Sequence, residues 1–392
     1  MNLKLLFRPR KLAAVLKERY EVQSRFNRAV KAGVQRFKDD PNYRPDLVPA
    51  ACAPHPSPEQ DDSLILKRII AAYKKAKADQ KSASETFNVS YEWLHIYERI
   101  LGPVMRALQE ENIPELNRMY SNFFRDSCSQ GLAGYPLEIQ RNLFLPDPPL
   151  KHRNILLVDL LHRFHLWKER TENRYTVHDL VSPQIGNPYG HIFDGVFIRG
   201  GSDYHHYYAQ FINSLLPSNT KGTVIELGGG FGGMAYFLVR DNPNVTYVDF
   251  DLPEALALAS YYLLKAFPDL PITLYGEAKF SSETLSRSRI VMMPSFEIKN
   301  MLAGAADVAF NSYSLAEMSA SSIREYIAEL TRCTRGHLLH INHNRVSLVK
   351  ADDFGIENHN FSLLQRRLAG WTVGLNPTSD EFEYLYQANQ PA

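Results

Sequence analysis

The spacing of hydrophobic positions changes about halfway along the chain. Up to about residue 182 they recur every three or four residues, as in "DDSLILKRIIAAYKKAKADQ" (61–80) and "SYEWLHIYERILGPVMRALQEE" (90–111), which predicts helices. Asp61 or Asp62 stands where the first of these would be capped. Leu12, Val15, Leu16 and Tyr20 give residues 1–40 the same helical period, and the Pro-rich stretch 41–61 then breaks it as an extended linker. The Gly-rich "GNPYGHIFDGVFIRGGSDYHHYYAQFINSLL" (186–216) leads into another helix. Beyond residue 220, strand-like runs alternate with helical ones. "TVIEL", "VTYVDF", "RIVMMPS", "ADVAFNS" and "GHLLHIN" read as strands; "GGMAYFLVRD", "PEALALASYYLLKAF" and "SIREYIAELTRC" read as helices. Such alternation predicts an α/β fold with a mostly parallel sheet covered on both faces. The end, "WTVGLNPTSDEFEYLYQ", reads as two strands joined by a polar loop, a hairpin that would close the sheet. The expected organisation is a basic helical segment (1–40), a linker (41–61), a helical N-terminal domain (62–184) and an α/β domain (185–392).

Composition narrows this picture only a little. The 392 residues are 44% hydrophobic and 22% charged with a net charge of +1, so no global imbalance points to nucleic acid. Three widely spaced cysteines, Cys52, Cys128 and Cys333, suggest neither a disulfide framework nor a metal cluster. The start has no secretory pattern and no apolar run is long enough to span a bilayer, which makes the cytoplasm the expected location. Residues 1–40 are locally basic, with 11 Lys/Arg against 4 Asp/Glu. That segment would suit peripheral contact with the inner face of a membrane, a glycan-assembly complex, or packing on the next domain with a solvated basic face.

Chemistry enters at "IELGGGFGGMAYFLV" (225–239), where five of the six positions 228–233 are glycine, between a strand and a helix. Glycine at that density implies a backbone approached closely by something else, and a strand–glycine turn–helix unit is a nucleotide pocket. Gly228, Gly230 and Gly233 also satisfy the dinucleotide pattern, which keeps a nicotinamide-dependent Rossmann oxidoreductase as an alternative. Two carboxylates favour another ligand. Glu226 lies inside the strand where a dinucleotide fold keeps an apolar residue, and can meet a cationic amino-acid moiety. Asp251 ends the next strand, where a carboxylate can accept from both ribose hydroxyls. S-adenosyl-L-methionine has both ends.

"IELGGGFGG", "YVDFDLPEALALASYYL" and "NSYSLAEMS" together resemble the sugar O-methyltransferases, a branch of the class I S-adenosylmethionine-dependent methyltransferases, over residues 185–390 or so. The resemblance implies a Rossmann-like class I sheet, with Glu226, Gly228, Gly230 and Asp251 binding cofactor. It places Met293, Pro294, Ser295 and Phe296 beside the adenine, and Asn311 and Ser312 near the methyl-bearing sulfur. It also supplies the acceptor, a sugar or glycan hydroxyl in surface polysaccharide or glycoconjugate biosynthesis. A non-catalytic scaffold in a glycan-assembly complex is the remaining alternative.

Three groups are candidates for removing the acceptor's proton. His343, after the fifth strand of the α/β half, comes first because its ordinary pKa suits the task. Glu317 in "SLAEM" is second, and His206 with His205 third, on a helix whose "YHHYY" would form an aromatic lid. His205, Tyr204 and Tyr313 are the candidate acceptor contacts. Asn311-Ser312-Tyr313-Ser314 departs from the Asn/Asp-Pro-Pro-aromatic turn of many amino-nitrogen methyltransferases, which favours oxygen. His337, His340 and His343 recur every three residues, but on a strand His340 faces away from the other two, so no three-histidine metal site is expected. No Asp-rich turn follows the fourth strand, so metal independence is favoured as well.

Overall fold

A computed structural model describes residues 9–55, 61–89, 94, 96–97, 99–133, 141–218, 220–345 and 349–389. The side chains of Leu12, Val15 and Leu16, and the stretch 90–93 of the expected second helix, lie outside the described residues.

The strand-like runs are apolar at consecutive positions because both faces of their sheet are covered. Eight strands form it: β3 Gly222–Leu227, β4 Val245–Asp251, β5 Ile272–Leu274, β6 Ile290–Pro294, β7 Ala306–Ser312, β8 Thr334–His343, β9 Phe361–Leu368 and β10 Glu381–Ala388. Their order is β5-β6-β4-β3-β7-β8-β10-β9, parallel from β5 to β8 and antiparallel at β10 and β9. Val224, Tyr247, Met292, Val308 and Phe310 point into one core; Ile225, Val248, Val291, Met293 and Ala309 point into the other. The chain leaves β3 for β4 on one side and returns to β7 on the other, so the crevice beyond the carboxyl ends of β3 and β7 is the switch point where open α/β sheets bind ligands.

The helices are α1 Pro9–Phe37, α2 Val48–Ala51, α3 Ser63–Gln80, α4 Gly102–Gln109, α5 Ile113–Tyr120, α6 Leu150–Arg170, α7 Ser202–Leu215, α8 Gly233–Asp241, α9 Pro253–Ala266, α10 Ser282–Arg287 and α11 Ala320–Cys333. The first of the two cores is shared by both halves of the chain. Leu66, Leu116, Phe123 and Trp167 from the N-terminal helices are buried in it together with Leu238, Leu258 and Tyr262 of α8 and α9. Polar ties reinforce the packing: Asp62 meets Lys265 Nζ at 2.7 Å and accepts from the Tyr261 hydroxyl at 2.8 Å. Asp62 is thus engaged with α9 rather than capping α3 with its side chain. In α1 the glycine at 33 lets the helix press on Val158 of α6, while Tyr20, nearer its start, is 74% exposed.

Three expectations need correction. Residues 48–51 are helical rather than extended, with Val48, Ala51 and Cys52 buried, because these apolar residues find the core between the prolines. The Arg125 guanidinium pins that stretch by donating to the Cys52 and Ala53 carbonyls at 3.0 and 2.9 Å. The Gly-rich segment before α7 contains a separate hairpin, β1 Gly190–Phe193 and β2 Val196–Arg199, turned by Asp194 and Gly195 at φ 48° and 82°. The Asp-Gly pair is the sequence signal that would have found it. Finally, the first strand of the closing hairpin is 361–368, not the segment at Trp371. Trp371 is fully buried in the turn and donates through Nε1 to the Tyr208 hydroxyl at 3.1 Å.

Candidate cofactor and acceptor site

A cavity of about 280 Å³ opens at the switch point. Its floor is the end of β3 and the glycine turn, its sides the ends of β4 and β7, and Thr86, Asn88, Tyr97 and Leu101 of the N-terminal half close over it. Glycine is needed in the turn for two reasons. Gly228, Gly230 and Gly232 have φ of 83°, 62° and 86°, a region side chains avoid. A Cβ on Gly228 would meet Ser314 Oγ at 2.5 Å, and one on Gly229 would meet the Asp249 carboxylate at 2.6 Å. The neighbours that come close are therefore the protein's own polar groups, set directly beneath and beside the loop.

Register explains which carboxylates converge. Glu226 is opposite Asp249 in the parallel β3/β4 pair, and Asp251 is two residues further on the same face. Glu226 is 3% exposed and accepts from the Tyr247 hydroxyl at 2.6 Å. Burial pushes its carboxyl up to about 8, against the Tyr247 hydrogen bond and with the help of nearby Asp251. Asp251 accepts from the Leu252 and Gly230 N–H groups at 2.7 and 3.3 Å. Burial still pushes it up to about 7, outweighing those two bonds. Asp249 is fully buried; burial, then Asp251 and Glu226, hold its carboxyl well above the usual range. One of its oxygens accepts from the Gly229 N–H at 3.1 Å and the other has no hydrogen-bond partner among the described residues. A fourth acid, Glu254, lines the cavity wall 3.2 Å from Lys77 Nζ. The residues therefore fit a ligand with a cationic end near Glu226 and hydroxyls near Asp251.

Of the other sequence candidates, Ser295, Tyr204, His205, Tyr313 and Glu317 also line this cavity, as do Gly228 and Gly230. Tyr204 OH and Ser312 Oγ are 2.5 Å apart, and Tyr313, at φ 65°, stacks near Tyr204 and donates to Glu381 at 3.2 Å.

Four candidates lie elsewhere. Phe296 packs edge-on against Tyr275. Asn311 is buried behind the wall, donating to the Leu227 carbonyl at 2.8 Å and accepting from Asn342 at 2.9 Å, and so ties β3, β7 and β8 together. His206 points into the core, where Trp167 Nε1 donates to its Nδ1 at 3.1 Å and burial lowers its pKa to about 4. His343 ends β8 opposite Glu381, outside the cavity lining. His205 and His206 separate because adjacent helical residues point about 100° apart, so one faces the cavity and the other the core. Asp249 was missed because a carboxylate in a strand centre carries no motif; its alternation with Tyr247 and Asp251 was the available signal.

No family model matches the chain, and no curated protein matches it in sequence. Solved structures match about half of it. A [4+2]-cyclase is 13% identical with a TM-score of 0.34, over 47% of this chain and 80% of its own. A magnesium protoporphyrin IX methyltransferase from Synechocystis with bound S-adenosylmethionine is 12% identical with a TM-score of 0.34, over 48% of this chain and 77% of its own. A SAM-dependent methyltransferase from Aquifex aeolicus is 13% identical with a TM-score of 0.31, over 46% and 88%. Likeness at this level carries no argument about activity or ligand. The strand order on its own, with its reversed final hairpin, gives the α/β half the Rossmann-like class I methyltransferase architecture expected from the sequence.

Proposed function

We propose that the protein is an S-adenosylmethionine-dependent methyltransferase that methylates oxygen, with a sugar or glycan hydroxyl as acceptor. The observation that carries this is the pair Glu226 and Asp251, both lining one glycine-floored cavity at the switch point. When bound, the cofactor supplies a methyl group already activated by its sulfonium charge. Glu226 then holds the ammonium of the amino-acid end, and ionises as it does so, because an adjacent cation favours the carboxylate. Asp251 accepts from the ribose hydroxyls, with its position fixed by the Leu252 and Gly230 N–H groups. Ser295 and Met234 line the remaining wall.

Catalysis then rests mainly on alignment of the acceptor oxygen, with proton removal as it attacks. Glu317 is the proton acceptor in this reading, since it follows β7 and lines the cavity. Tyr204 and Tyr313 provide flat faces for a sugar ring. The sugar assignment rests on the motif resemblance together with these faces.

Calorimetric titration with S-adenosylhomocysteine tests the reading, beside Asp251→Ala and with NAD as control ligand. Micromolar binding that Asp251→Ala weakens at least tenfold, about 1.4 kcal/mol, is expected. Heat from NAD and none from S-adenosylhomocysteine would overturn it in favour of a dinucleotide enzyme.

A further inference from the structure

We infer that a second cavity, adjoining the first and lined by Arg199 and Arg163, receives an anionic group, carboxylate or phosphate, carried by the acceptor. The inference rests on the methyltransferase reading for its word "acceptor", and on the following geometry for the rest.

This cavity, of about 220 Å³, shares Leu132, Tyr204 and His205 with the cofactor cavity, so a molecule spanning both would pass those three residues. Arg199 is only 3% exposed and forms no ion pair among the described residues. Its Nε reaches Ser182 Oγ at a stretched 3.4 Å, one terminal nitrogen donates to the Gly200 carbonyl at 2.8 Å and the other to His205 Nδ1 at 3.2 Å. Three of five N–H groups are thereby used, one of them poorly. Phe124 and Phe231 flank the guanidinium with ring centroids 5.4 and 5.1 Å away, which orients it without neutralising it. Arg125 shows what a buried structural arginine looks like here: its nitrogens donate to four backbone carbonyls. Arg199 has one.

The His205 ring beside it is a donor as well, while the buried Asp203 carboxylate lies further off. An arginine cannot accept a hydrogen bond, so His205 Nδ1 is the acceptor and the ring's proton sits on Nε2. His205 is thus a donor toward the cavities rather than a base, and burial with Arg199 and Arg163 holds its pKa well below the usual range. Arg163 lines the same cavity, paired on one side with Asp159 at 3.0 Å. Gly200 and Gly201, just before α7, complete that wall, and Ser202, the helix's first residue, is fully buried with a hydroxyl that has no partner among the described residues. Helix N-termini favour anions, although Asp203 in the first turn occupies part of that field. A buried guanidinium with no direct ion pair among the described residues, its charge met only at longer range by Asp203, beside an aromatic wall formed by Phe124, Tyr189 and Phe231, suits an oxyanion on a compact ring.

The test is calorimetry on the full chain saturated with S-adenosylhomocysteine, using inorganic phosphate and glucuronate as probes and glucose as the neutral control. At least one anion should bind tenfold or more tighter than glucose, and Arg199→Gln should weaken it at least tenfold while S-adenosylhomocysteine affinity stays within twofold. Phosphate alone would indicate a phosphorylated acceptor; glucuronate alone, a sugar acid. If Arg199→Gln does not fold, Ala133→Glu carries the test, since a carboxylate at the cavity wall should displace the anion to the same extent. Equal binding of glucose and both anions, or anion binding unchanged in the folded variants, overturns the inference. Anion binding that follows these expectations in a protein deaf to S-adenosylhomocysteine would leave the arginine cavity standing and remove only the methyl-transfer reading.

Discussion

The two adjoining cavities differ in the sign of what they bury. One is lined by Glu226, Asp251 and Glu254 around the ends of β3 and β4, with Asp249 buried against the glycine turn beside them; the other is lined by Arg199 and Arg163 near the start of α7, with Asp159 paired to Arg163 and Asp203 close by. Burial penalises charge in both, but the two chemistries respond differently. A carboxyl can shed its charge by taking up a proton, and Glu226 and Asp251 are pushed up to about 8 and about 7. A guanidinium keeps its charge and must be met by acceptors or by a ligand. Glu226 can therefore wait uncharged until a cation arrives, whereas Arg199 is charged whether or not anything occupies its cavity, with the Asp203 carboxylate at longer range and no direct ion pair among the described residues.

The sharpest way to break that contrast is Glu226→Gln, which keeps the shape and the Tyr247 contact but removes the ionisable group. A ten- to hundredfold loss of S-adenosylhomocysteine affinity, about 1.4–2.7 kcal/mol, is expected by calorimetry; a change below threefold would mean the acid is structural.

Next in size is the pH dependence. Both carboxyls have folded pKa values above those of ordinary carboxyls, so the empty protein binds protons that the unfolded chain has lost. Their contribution to stability is therefore largest below about pH 4 and declines as pH rises toward 8. Melting curves at pH 5.5 and 8 should show this loss in wild type, and show less of it in Glu226→Gln. Binding the ligand's ammonium should release protons near pH 7, so affinity rises from pH 6 to 8 and the heat depends on the buffer's own ionisation heat.

A smaller effect is expected at Asp249, whose second oxygen is buried without a partner among the described residues. Asp249→Asn should raise the melting temperature of the ligand-free protein at pH 8 by a few degrees and change S-adenosylhomocysteine affinity less than threefold. The smallest effect on binding belongs to His206→Ala. It should leave the affinity within twofold while costing about 1–3 kcal/mol of stability, because Trp167 loses a buried acceptor. Denaturant titration beside calorimetry separates the two.

Much of the fold was legible because its signals are local. Alternating strand and helix periods placed β3, β4, β6, β7 and β8 and the helices α8, α9 and α11, though not the short β5 and α10, and the glycine turn marked the switch point. The first strand of the final hairpin was misplaced because "FSLLQRRL" alternates weakly and lies on the sheet edge, where burial imposes little pattern. Trp371, by contrast, looked like strand because it is large and apolar, yet it is buried as a turn residue wedged against Tyr208.

The sequence by itself determined the parallel strands β3, β4, β6, β7 and β8 from their period, and the glycine turn with the positions of Glu226 and Asp251 from spacing along a single strand–turn–helix–strand unit. Tertiary structure alone decided which histidine faces the cavity, that Asp249 lies under Gly229, that Thr86, Asn88, Tyr97 and Leu101 close over the site, and that Arg199 is buried beside it with no direct ion pair among the described residues. Those facts depend on how separate elements pack against one another, some of them distant in the chain, and on what each side chain fails to find there. Neither leaves a period or a motif in the chain.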